Sequence, residues 1–231
     1  GAPLLRLPAG VLIDLCARFL ADPLKPQTLL ALVKHPLCGI DADAATALEL
    51  HALRGPRPRD WAMIRQRLLG AAQPRRGGKP PPDWQQVRLT EAAALTDRLE
   101  ALVGAARAPF NDTAPLDDAA RALTGLVETL AGQSVWAGPD GEAAAALMAA
   151  LIAGGDALGE VGRADLADLV HGLLRDETVR TGGATHPSLR ILGAIEARLV
   201  RADRMILAGL EEGVWPNAAP VDPFLSRPMR K

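Results

Sequence analysis

The chain has 231 residues, 48% of them hydrophobic, with 26 basic and 27 acidic side chains. This is ample to bury a core and suggests one large domain or one domain plus a fragment. Two cysteines, Cys16 and Cys38, without metal-ligand spacing exclude a disulfide or zinc scaffold, and no apolar run approaches the roughly 20 residues that span a bilayer.

The first helix signal comes from Leu12, Leu15, Cys16, Phe19 and Leu20, whose spacing puts them on one face. A second helix is expected from about Pro26 to His35, stopped by Pro36. A third is expected over Ala44 to Leu53, closed by Gly55 and Pro56. Asp60 is a candidate N-cap for a fourth, Trp61 to Leu69, because its carboxylate can accept from amides that lack an intrahelical partner. Residues 71–83, AAQPRRGGKPPPD, carry proline and glycine without periodicity and read as a mobile surface loop. Thr90 is the expected cap of a long helix to about Ala106, with Leu95, Leu99 and Leu102 on one side. Thr113 and Pro115 mark the expected start of a helix to about Ala131. Two more are expected near Gly141–Ala153 and Ala164–Arg175.

After about Asp176 the pattern changes. Ser188–Gly193 and Arg204–Gly209 are short aliphatic runs ending in glycine, as buried strands are. Ala194–Ala202 between them is long enough for a short helical crossover, so the pair suggests a fragment of a parallel sheet. The expected architecture is mainly α: a helical, bundle-like region over residues 1–176, then a small α/β piece over 177–231.

Residues 186–216 read HPSLRILGAIEARLVRADRMILAGLEEGVWP. This segment resembles the re-entry into the second motor lobe of UvrD-type superfamily 1 helicases. There a strand leads to a T-x-H-x-x-K-G-L-E motif, then to a buried strand and a G-x-x-E-G-x-x-P-like turn. The turn is present as Gly209, Leu210, Glu211, Glu212, Gly213, Val214, Trp215 and Pro216. The ATP-associated motif is replaced by Gly193, Ala194, Ile195, Glu196, Ala197 and Arg198, with no lysine and no threonine–histidine pair. In this form the chain resembles the AddB family of bacterial helicase-nuclease subunits, as do LSRPMR at 225–230, LRGPRP at 53–58 and KHPL at 34–37.

The resemblance implies that residues 1–176 are the helical insertion of a degenerate motor lobe and that 177–231 are part of that RecA-like lobe. It also implies a partner, an AddA-like ATP-driven helicase-nuclease subunit, and a role in processing DNA double-strand breaks for recombination. The family's nuclease and its iron–sulfur cysteines are not in this chain, so no cofactor and no catalysis are expected of this fragment. An interaction scaffold that never touches DNA is a rival reading. A fragment of an active helicase is another, opposed by the missing lysine and threonine. The sparse cysteines point to a reducing compartment, so the expected location is the cytoplasm, and the N-terminus lacks the basic region plus apolar stretch of a signal peptide.

The near-zero net charge conceals a local excess. Arg54, Arg57, Arg59, Arg65, Arg67, Arg75, Arg76 and Lys79 face a single acid, Asp60, so residues 54–79 carry +7 and the remainder −8. Such a block can face phosphates, and Trp61 and Trp84 are close enough in sequence to offer stacking faces. A contact with the partner subunit and a merely solvated arginine face are the alternatives.

Other candidates are weaker. Gly77, Gly78 and Lys79 are followed by Pro80 where a phosphate-binding loop needs Ser or Thr. The acid pairs Asp41/Asp43, Asp117/Asp118 and Glu211/Glu212 have no lysine at nuclease spacing and read as solvated helix ends. His35, His51, His171 and His186 show no ligand spacing, and His171 fits the edge of a packed face. Glu196 and Arg198 either contact DNA or, as the preferred reading, fix a turn by an ion pair. Trp215 reads as a packing anchor before a stacking platform.

Overall fold

Proline begins the first helix without losing a hydrogen bond, since amides of the first turn have no intrahelical acceptor. Helix α1, Pro8–Ala21, starts in this way. Its residues Ala9, Leu12, Ile13, Cys16, Ala17, Phe19 and Leu20 are all buried. A helix apolar on most sides belongs in the interior, and α1 packs against helices on several sides, as set out below. The computed structural model describes residues 1–74, 78–180, 200, 201, 203, 204 and 206, without the side chain of Asp156. The chain divides into two units, Gly1–Gly182 and Gly183–Lys231, and every described element lies in the first.

Among the described residues the chain is mainly α-helical, with eight α-helices and two short ribbons. Helix α2 is Pro26–Val33, and a 3-10 turn at Pro36–Cys38 leads to Gly39 in the left-handed region. Helix α3, Ala42–Leu48, is capped by Asp41, whose carboxylate accepts from the amides of Asp43 and Ala44 at 2.9 and 2.8 Å. It widens into a π turn over Glu49–Leu53. Helix α4 is Trp61–Ala72, and the expected Asp60 cap is present, accepting from Met63 N at 2.7 Å. Helix α5, Asp83–Arg107, is followed by α6, Leu116–Ala131, α7, Gly138–Gly154, and α8, Arg163–Asp176.

Strand β1, Ala2–Pro3, pairs antiparallel with β4, Thr178–Val179. Strand β2, Thr113–Pro115, pairs antiparallel with β3, Glu160–Gly162. The strands of the second ribbon lead directly into α6 and α8, which leave it at opposite ends. Around α1 stand α2, α5, α6, α7 and α8, while α3 and α4 pack on α5 at the periphery. One contiguous apolar core joins them, including Leu4, Phe19, Leu29, Ile64, Leu99 and Leu123. Burying each such large side chain contributes about 1.5–3 kcal/mol before entropy is counted.

Several boundaries differ from the sequence expectation. Thr90 is not a cap but lies inside α5, where its hydroxyl donates to Gln86 O at 2.9 Å. Thr113–Pro115 is a strand, and the helix starts at Leu116. The helix expected to reach His35 ends at Val33. Thr178 and Val179 lie beyond residue 176 yet pair within the helical unit. The strand expected at Ser188–Gly193 lies outside the described residues, as do all but Arg204 and Ile206 of the one at Arg204–Gly209. Gly193, Glu196, Arg198, Gly209, Glu212, Gly213, Trp215 and Pro216 lie outside them too.

Candidate nucleic-acid interface

The basic stretch begins where the π turn ends. Arg54 follows it and donates to Glu49 Oε1 at 3.1 Å, while Lys34 Nζ reaches Glu49 Oε2 at 2.5 Å. Two cations on one carboxylate leave this exposed cluster net positive. They also hold the Glu49 carboxyl below its ordinary range, through the Lys34 hydrogen bond first and the Arg54 bond second. Arg57 crosses to Asp22, just past α1, at 2.5 Å. Arg59 is exposed and has no ion pair among the described residues, and the same holds for Lys79 before α5.

Helix α4 turns its two arginines to other work. Arg65 Nε donates to Asp97 at 2.7 Å, and its Nη2 donates to Glu100, so one guanidinium ties α4 to two acids of α5. Arg67 donates to Ala52 O at 2.7 Å and Pro56 O at 2.8 Å, closing one carbonyl in the π turn and one in the segment after it. Arg75 and Arg76 lie outside the described residues. The block in the sequence therefore separates into two groups. Arg65 and Arg67 are knitted into the packing of α4, whereas Arg54, Arg57, Arg59 and Lys79 face solvent. Exposed ion pairs are worth about 0–1 kcal/mol, so Arg54 and Arg57 can exchange a carboxylate for a phosphate at little cost.

The tryptophans separate in the same way. Trp61 is half-buried, edge-on to Phe19 with ring centroids 6.4 Å apart. Trp84 is 60% exposed in the first turn of α5, and the Arg88 guanidinium lies 5.0 Å from its ring centroid. Arg88 in turn pairs with Asp43 of α3 at 2.7 Å. The Trp84–Arg88 spacing of one helical turn is visible in the sequence; the contribution of Asp43 is not.

The acid pairs within the described residues sit at helix starts: Asp41 caps α3, with Asp43 in its first turn, and Asp117 and Asp118 open α6. Among the described residues no three His, Cys, Asp or Glu side chains gather as they would to hold a metal ion, and no helix is long and apolar enough to cross a membrane. His171 of α8 is half-buried against α1, with Nδ1 at 2.9 Å from both Asp14 Oδ1 and Arg18 Nη2. Arg18 also donates to Asp14 at 2.8 Å. Only the Asp14–Arg18 spacing of this network is legible in the sequence. Cys16 and Cys38 are free and buried, and burial pushes the Cys38 thiol up to about 11.

A different surface lies between α7 and α8. Leu147, Leu151, Leu158, Leu169 and Leu173 line an apolar groove of about 490 Å³, with Leu158 68% exposed. Asp176 and Glu177 stand at its rim. No family model, curated protein or solved structure matches the chain.

Proposed function

We propose that this chain is a non-catalytic, helicase-like segment of a subunit that guides DNA in a cytoplasmic helicase-nuclease, where it pairs with an AddA-like motor subunit during double-strand break repair. One observation carries the reading: GAIEAR at 193–198 followed by GLEEGVWP at 209–216 keeps the frame of a superfamily 1 motor lobe and lacks its lysine and its threonine–histidine pair. A lobe altered in this way holds DNA or a partner and hydrolyses no ATP. The exposed Arg54, Arg57, Arg59 and Lys79 support the guiding role, because they offer charge and bidentate phosphate contacts.

Binding of a labelled forked DNA across a salt series tests the proposal. Each phosphate contact contributes about 0.9 to the slope of log affinity on log salt for duplex, and about 0.7 for single strands. Arg57→Ala with Arg59→Ala is expected to weaken binding and flatten the slope. Arg67→Ala is expected to lower the unfolding temperature and leave the slope alone. Absence of binding at low salt overturns the guiding role. In that event docking of the motor subunit becomes the reading, and the exposed leucines between α7 and α8 are the observation that favours it.

A further inference from the structure

We infer that the recess between the end of α3 and the start of α5 is a stacking subsite for one base of a single-stranded DNA, with Trp84 as its platform and Arg88 as a phosphate contact. The inference rests on the DNA-guiding reading and supplies a contact that charge alone does not. An indole is usually buried or tied to a partner, as Trp136 is through Glu128 at 2.9 Å. Trp84 is instead 60% exposed on the outer turn of a helix. It is not among the apolar side chains packed against the core.

What surrounds it has the composition of a base-binding recess. Leu50 and Leu89 supply an apolar floor, while Thr46 and His51 bring groups that hydrogen-bond to a base edge. The recess measures about 200 Å³. That is below the roughly 300–1,000 Å³ of pockets that enclose whole small molecules, and suits one planar ring entering from the side. Asp43 holds Arg88 at 2.7 Å and so keeps the guanidinium 5.0 Å from the indole centroid. The guanidinium lies over one face of the indole, so a base stacks on the other face and the cation meets the adjoining phosphate.

The direction of the helices brings charge to the same end. Asp41 and Ala44 of α3 line a cleft with Leu95 and Arg98, whereas Leu50 and His51 line the recess with Trp84 and Gln85, so the two segments run antiparallel. Arg54 comes directly after the π turn, and Lys79 comes shortly before α5, so both lie by chain connectivity at the Trp84 end. Stacking faces interleaved with cations are the arrangement that holds single strands with little base preference.

The test uses the whole chain and a fluorescein-labelled oligo(dT) over a salt series. Trp84→Ala is expected to weaken binding about tenfold or more, the usual loss for one stacked base, without changing the salt slope or the helical circular dichroism. Trp84→Phe keeps a ring and should bind within a few-fold of the parent, while the quenching of intrinsic fluorescence by the oligomer falls. Arg88→Ala should reduce the salt slope by about 0.7. A parent that binds tightly, with Trp84→Ala binding equally well, overturns the stacking subsite and leaves the DNA-guiding reading standing. A parent that does not bind at low salt overturns both.

Discussion

Arg107 lies in the last turn of α5, yet its guanidinium serves the end of another helix. Nε donates to Leu20 O and Nη2 to Ala21 O, each at 2.8 Å, so it closes two carbonyls at the C-terminus of α1. At the opposite end Asp140, from the first turn of α7, accepts from Ala9 N at 3.2 Å. A cation at the C-terminus and an anion at the N-terminus also complement the helix dipole. Of the residues that flank α1, Leu7 makes no side-chain cap of the first turn, and Asp22 closes Arg18 O through its backbone amide at 2.9 Å. Arg107→Ala is expected to cost about 1–3 kcal/mol, the desolvation of carbonyls left without a donor, with Arg107→Lys in between. Thermal unfolding followed by circular dichroism reads this directly; an unchanged midpoint in Arg107→Ala means that water replaces the cap. Local caps such as Asp60 are legible because donor and acceptor are three residues apart. Arg107 is not, because its acceptors stand 86 and 87 residues away.

The element scale shows where periodicity informs and where it is silent. Leu95 and Leu99 face the core and mark the middle of α5. The first turns, Asp83 to Arg88, are largely exposed, and their apolar pair at i, i+3, Trp84 and Val87, faces solvent and marks no core face. Asp83 in the first turn after three prolines is the start signal there, since an acid favours the positive end of the helix. The π turn at Glu49–Leu53 has no such signal; Arg54 N bonds to Glu49 O at 3.1 Å, and the residues read as ordinary helix formers. Packing between elements also decides what two helical glycines do. A Cβ on Gly10 would fall inside the van der Waals shell of the Leu4 carbonyl, whereas one on Gly125 meets nothing within 4 Å. Gly10→Ala is therefore expected to destabilise by about 1–3 kcal/mol by forcing α1 off the Leu4–Arg6 turn. Gly125→Ala is expected to stabilise by about 0.5–1 kcal/mol, since alanine loses less backbone freedom. Paired denaturant titrations measure both, and shifts of the same sign would contradict the packing described for α1.

At the scale of the helical unit, its first and last described strands meet. Ala2 pairs with Val179 and Pro3 with Thr178, and Leu4 N donates to Glu177 O at 2.8 Å. Val179 is buried, so the ribbon is part of the core and not a frayed tail. Val179→Asp places an unpaired carboxylate there and is expected to cost on the order of 3–5 kcal/mol. Urea unfolding should then show a lower midpoint, and amide exchange should show lost protection at Leu4. Retained protection at Leu4 would mean that the 3-10 turn holds without β4. The split of the basic stretch belongs to this scale as well. In the sequence Arg65 and Arg67 look like Arg57 and Arg59, and only the placement of α4 against α5 and the π turn separates them.

The sequence by itself determined that this chain is mainly α-helical. It also marked the positions of most helices and the Asp60 cap, because apolar spacing, proline and short-range capping are properties of neighbouring residues. It also carried residues 193–198 and 209–216, on which the proposed function rests. Among the described residues the tertiary structure decided which arginines of the basic stretch stay exposed, that Trp84 is exposed while Trp61 is half-buried, and which side chains close the ends of α1. Each of these depends on groups far apart along the chain, and their meeting is set by how the helices pack around α1.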